Sequence, residues 1–198
     1  MKETIEKYIK ENAKEYIILI VFLLIGLVLG VIVANNSNQV QKDSITTTIL
    51  NATNTIKQTP NIDYGHLLIE SIKKNVILES VIFFFSLSVL APIIIKGIVC
   101  YKGFCLGYTI SSVILTFGIG KGLLFCLPLL FITQLILIPC LLILANEGNK
   151  LYKSIVIERD SRMKIQITKT LIIFLSIFGV LFITSCIETY LCSNLFVS

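Results

Sequence analysis

The sequence predicts an all-α integral membrane protein. It reads as a bundle of five transmembrane helices with a short amphipathic N-terminal helix and an outer amphipathic loop or hairpin. Three observations carry this. The 198-residue chain is 55% hydrophobic and only 15% charged, with a mean hydropathy of +0.88, far from the balance of a soluble domain. Apolar runs recur at about the 20 residues that a helix needs to cross a bilayer. The charges collect between those runs. Residues 1–198 therefore read as a single polytopic membrane domain.

Residues 1–15 alternate lysine and glutamate, while Ile5, Tyr8, Ile9 and Ala13 recur at helical spacing. This predicts an amphipathic helix lying on the membrane. The first span is expected at 16–34. The run is longer than a signal-peptide core and has no small-residue cleavage site, so it reads as a retained span. Its Gly26 and Gly30 form a G-x-x-x-G, a spacing that lets a second helix approach closely, inside this chain or in a second copy.

Residues 35–75 are rich in Asn, Thr and Ser and hold too few large apolar side chains for a core. They are expected to form an outer amphipathic hairpin and a docking surface. The remaining spans are expected at about 77–99, 103–119, 122–145 and 170–191. A charged loop over 146–169 is expected between the last two.

Lys96, Gly97 and Lys102 interrupt "LAPIIIKGIVCYKGFCLGYTIS". The expected reading is an inner-face turn between spans two and three, with Lys96 snorkelling to the headgroups and Gly103 and Gly107 serving close packing of span three. The competing reading makes the lysines part of a permeation path. With the N-terminus inside, residues 1–15, the turn at 96–102 and the loop 146–169 carry twelve of the seventeen basic residues. This positive-inside bias places the N-terminus in the cytoplasm and the C-terminus outside.

Chemistry is sparse. His66 is the single histidine, and no H-E-x-x-H, G-x-S-x-G or Walker A sequence occurs. No catalytic residue, cofactor site or metal site is expected. The six cysteines show no C-x-x-C spacing and read as small hydrophobes. A net charge of +5 without a long basic run gives no nucleic-acid signature. Glu79 and Glu188 are expected near the outer rim. Gln134, between Pro128 and Pro139, is the polar residue expected nearest the midplane. It reads as interhelical glue or as a substrate or partner contact. Gln134 and Glu188 are thus the candidate intramembrane polar contacts. The residues alone leave two classes open, a small transporter or channel and a membrane scaffold; the shortage of central charges favours the scaffold.

Five stretches in order, "VLGVIVANN", "IIIKGIVCYKGFCLGYTIS", F-x-x-G-Y-T within it, "KGLLFCLPLLFITQLILIPCLLILA" and "LFITSCIETYL", resemble the stage II sporulation protein M family over nearly the whole chain. The resemblance implies a membrane scaffold of the engulfment machinery in endospore-forming bacteria. Its implied partners are stage II sporulation protein D, a lytic transglycosylase, and protein P, an amidase/endopeptidase. It implies the septal or engulfing mother-cell membrane as location, alongside membrane lipids and a possible homo-oligomer. More distant relatives carry a Pro-His-Gly-like stretch followed by a glutamate in the span corresponding to the fourth. Here that region reads "FITQLILIP".

Overall fold

The computed structural model describes residues 2–39, 41–48, 64–120, 132–157 and 163–197, and these contain no strand. Five long helices dominate: α1 (Lys2–Asn35), α2 (Tyr64–Ser86), α3 (Ala91–Phe117), α4 (Ile132–Tyr152) and α5 (Met163–Val197). A π-helical turn at Lys153–Ile157 continues α4. A short helical segment covers 41–48.

Helix α1 runs unbroken through its charged and apolar parts. No proline occurs in it and no glycine precedes Gly26, so nothing breaks the backbone ladder. The separate amphipathic helix expected over 1–15 is instead the first part of α1. Asn38 then starts the 41–48 segment: its N–H donates to Gln41 Oε1 at 3.3 Å, the backward half of a capping box.

The expected second span, 77–99, is not one helix. Helix α2 stops at Ser86, residues 87–90 turn, and α3 starts at Ala91 with Pro92 in its first turn. A helix running through Pro92 would lose a backbone bond and meet the proline ring with the carbonyl four residues earlier. In a first turn the missing N–H costs nothing. The turn closes on Ser88 N–H to the Phe85 carbonyl, 2.9 Å, and Leu90 N–H to Ser88 Oγ, 3.4 Å. The inner-face turn expected at Lys96, Gly97 and Lys102 is therefore corrected: all three sit within α3, which absorbs the expected span 103–119. Glycine only weakens a helix; proline stops it.

The other boundaries also move. Helix α4 continues to Tyr152, through Asn146–Lys150 that were expected to open a loop. Its expected first part, up to residue 131, lies outside the described residues. Helix α5 extends past the expected 170–191 at both ends. Among the described residues, four stretches are long and apolar enough to cross a membrane: Ala13–Asn35, Ala91–Phe117, Gln134–Val156 and Ile165–Ile187. Helix α2 is not among them. Glu70, Lys73, Lys74 and Glu79 dilute its apolar half. It packs nevertheless against α3, α4 and α5, with Phe83 on Phe174 at 5.1 Å between ring centroids.

Cross-helix contacts fix the alternation of the helices. Lys153 at the end of α4 pairs with Glu15 of α1 at 2.7 Å, so these two helices are antiparallel. Ser111 of α3 donates to Asn35 of α1 at 3.4 Å, so α1 and α3 are parallel. Between Glu15 and Asn35 the helix rises about 30 Å, the thickness of a bilayer's hydrocarbon core. We call the Glu15–Lys153 level the basic end. The core between the levels includes Leu19, Leu23, Ile82, Ile95, Val99, Leu144, Ile177 and Leu181. The outer flank of α1, with Ile17, Leu24, Val28 and Ile32, stays exposed, as a lipid-facing surface would.

Candidate functional site inside the bundle

The tightest packing lies between α1 and α3. A Cβ added at Gly26 would collide with the Cys100 carbonyl oxygen, and one at Gly30 with that of Phe104 and, at 2.7 Å, with the Tyr108 nitrogen. From the other side, a Cβ at Gly103 would strike the Leu23 carbonyl, and one at Gly107 the Leu27 carbonyl. The four glycines thus interlock, two per helix, with backbone against backbone. Gly97 has nothing within 4 Å of an added Cβ; it serves neither a turn nor this contact.

The remaining space holds polar side chains that a membrane bundle rarely buries. On α4, Asn146 and Glu147 are fully buried and Asn149 is 4% exposed. Glu147 Oε1 accepts from Lys150 Nζ at 2.7 Å, and its Oε2 lies 3.9 Å from Lys169 Nζ of α5. Thr170, next along α5, is fully buried. Six residues separate Glu147 from Lys153, so this cluster sits about 9 Å inside the basic end. Gly148 admits the α2 hydroxyl: an added Cβ there would meet Ser86 Oγ, with Ile95 Cδ1 at 3.0 Å. Thus α2, α4 and α5 contribute to one polar region, with Ile95 of α3 packed against it.

Two ionisable residues lie deeper. Glu79 is 3% exposed, and its Oε2 has no hydrogen-bond partner among the described residues. It is two turns up α2 from Ser86 and within electrostatic reach of Cys140, about 18 Å from the basic end by helix rise. The sequence expectation that Glu79 lies at a rim is corrected: the early start of α2 carries it inward. Lys102 is half-buried and adjoins Gly103, which rests on Leu23 and Leu27. That puts it near mid-depth, about 15 Å from the basic end, in place of the expected surface turn. Lys96 is half-buried one and a half turns nearer the basic end.

Gln134 opens the described candidate span, nineteen residues and about 28 Å from Lys153. It therefore lies toward the far level, in place of the expected midplane. Its Oε1 is buried and has no partner among the described residues. Glu188 lies on α5, and its side chain is outside the described set. Among the described residues no group of three or more His, Cys, Asp or Glu could hold a metal ion. Cys100, Cys105, Cys140 and Cys186 are free thiols.

Sequence reasoning missed the Asn146–Lys150 cluster because "NEGNK" has the composition of a loop. Two signals pointed the other way. Glu147 and Lys150 are spaced i,i+3, and Leu144 and Leu151 flank them one heptad apart, which continues a buried helical face.

The family profile described as stage II sporulation protein M matches residues 19–193, from the start of the first span through nearly all of α5. The chain belongs to the stage II sporulation protein M family. With four helices able to cross a membrane, it is a multi-pass, sporulation-related membrane protein. The family is not a known enzyme family. No curated protein and no solved structure matches the chain.

Proposed function

We propose that this protein is a non-enzymatic membrane scaffold that recruits and organises stage II sporulation proteins D and P for septal peptidoglycan remodelling during engulfment. The family match over residues 19–193 carries this reading. The interlocked α1–α3 pair supports it: Asn35 and Ser111 are tied at the level from which the chain leaves α1, giving the 36–63 segment a firm base. The basic end faces the cytoplasm in this reading, since residues 1–15 and 146–169 hold ten of the seventeen basic residues. Residues 36–63 then lie outside, where peptidoglycan hydrolases act. Helix α2 crosses as the fifth span, with Glu79 covered by its neighbours and Lys73 exposed, and the C-terminus lies outside. The engulfing mother-cell membrane is the proposed location.

The test replaces residues 39–58 with a neutral linker, checks membrane insertion, and captures partners from sporulating cells. Loss of the two hydrolases supports the loop as their docking surface; retention removes that assignment.

A second reading, a small transporter or channel with Gln134 in its path, rests on the buried acceptors Gln134 Oε1 and Glu79 Oε2. Flux in liposomes that Gln134→Leu abolishes would favour it over the scaffold.

A further inference from the structure

We propose that the basic end of the α1–α4–α5 junction binds the headgroup of an anionic glycerophospholipid of the phosphatidylglycerol class. Helix α4 packs on both α1 and α5, but α1 and α5 share no packed interface among the described residues. Between them, Lys150, Tyr152 and Lys153 of α4 stay partly or wholly exposed at the membrane boundary. One side carries Lys153, held by Glu15 of α1. The other carries Lys150 and Lys169, both drawn to Glu147.

In the ion pairs of the described residues, three ammonium groups face two carboxylates there, leaving one positive charge. Glu147 divides itself unequally between its lysines. Lys150 takes the short contact, while Lys169 stands at 3.9 Å with its side chain 52% exposed, beyond hydrogen-bond range. Lys169 therefore has donors to offer a second anion. Its stem starts within the hydrocarbon depth and its head reaches toward the boundary, where lipid phosphates lie. Basic pockets between spans are recognised sites for acidic headgroups.

Two neutral groups sharpen the ligand's chemistry. Thr170 Oγ1 and Asn149 Oδ1 are buried, 0% and 4% exposed as residues, and neither atom has a hydrogen-bond partner among the described residues. A phosphodiester oxygen accepts from the Thr170 hydroxyl. A headgroup hydroxyl donates to Asn149 Oδ1. A phosphate without hydroxyls satisfies only the first, and a zwitterionic choline headgroup brings a like charge to the lysines.

The test uses the full chain purified in mild detergent. Lipid retention is counted by native mass spectrometry after exposure to equimolar phosphatidylglycerol and phosphatidylcholine. Thermal stability is followed with each lipid and with inorganic phosphate. We expect selective retention of phosphatidylglycerol and a raised midpoint with it alone. Lys169→Gln should cut that retention at least fivefold, Lys169→Arg should restore most of it, and Lys42→Gln at the far end should change nothing. Equal retention of both lipids would overturn the proposal, as would unchanged retention in Lys169→Gln. Equal stabilisation by inorganic phosphate would overturn the lipid as occupant in favour of a free anion. Lys169 is half-exposed on a helix surface, so its variants fold and report on binding. None of these outcomes bears on the hydrolase partners.

Discussion

Replacing Gly103 with alanine tests the α1–α3 contact most sharply. The new Cβ would strike the Leu23 carbonyl oxygen and stand 3.0 Å from the Leu23 carbonyl carbon and 3.1 Å from the Leu27 nitrogen. All three are backbone atoms, so no rotamer change relieves them. The helices must separate, by about 1 Å to restore ordinary contact. A gap of that size forfeits between a quarter and a half of each dispersion well of 0.1–0.2 kcal/mol. Over roughly 50 atom pairs, the number one buried leucine makes, the loss is about 1–5 kcal/mol, and about 3 kcal/mol at the middle of both ranges. Alanine returns up to about 1 kcal/mol of helix propensity. At the middle values the net cost is about 2 kcal/mol, or a fall in unfolding midpoint of about 4–8 °C for a chain of this size. A thiol-reactive dye in detergent follows the transition through the free cysteines. Gly97→Ala is the internal control: nothing lies within 4 Å of its added Cβ, so the midpoint should hold or rise. Adding Gly107→Ala to Gly103→Ala should cost much less than a second full increment, because one separation relieves both clashes. Equal midpoints for Gly97→Ala and Gly103→Ala would refute the close-contact argument.

Other consequences follow from the same geometry. Glu147→Ala removes the buried partner of two lysines whose side chains are 26% and 52% exposed and should cost more than Glu15→Ala, which removes a partly exposed pair worth at most about 1 kcal/mol; chemical unfolding in detergent compares them. In a cysteine-free background, single cysteines at 88 or 89 should react with a membrane-impermeant maleimide from the basic side, and one at 98 should not; the reverse would restore the turn at 96–102. Gln134→Leu should leave partner capture intact if the scaffold reading holds, since it removes only a buried orphan acceptor. Glu79→Gln keeps shape and removes only a charge, so membrane insertion and stability measured by dye should change little, while Glu79→Lys should impair both.

What the sequence reveals depends on the residue. The all-helical membrane character rests on apolar runs, and it is visible before any coordinates. The glycines at 26, 30, 103 and 107 are equally visible, but their mutual opposition is a tertiary fact that spacing within one helix does not contain. The turn at 87–90 was hidden because Lys96 and Gly97 look like interruptions, whereas Pro92 acts more strongly and sits five residues earlier. The burial of Glu147 and Thr170 was hidden for a different reason. Window composition records how polar a segment is, not what covers it, and here α2 and α5 cover a segment that reads as a loop. Glu79 was misplaced by the same boundary error: once α2 begins at Tyr64, fifteen residues of helix carry it into the bundle.

The central claim is recruitment of cell-wall hydrolases, and the direct measurement is affinity capture of the intact protein from sporulating cells in mild detergent, with identification of what co-purifies. The account predicts a lytic transglycosylase and an amidase/endopeptidase, lost when residues 39–58 are replaced. Capture of the chain alone, under conditions in which a known membrane complex survives the same detergent, would contradict it.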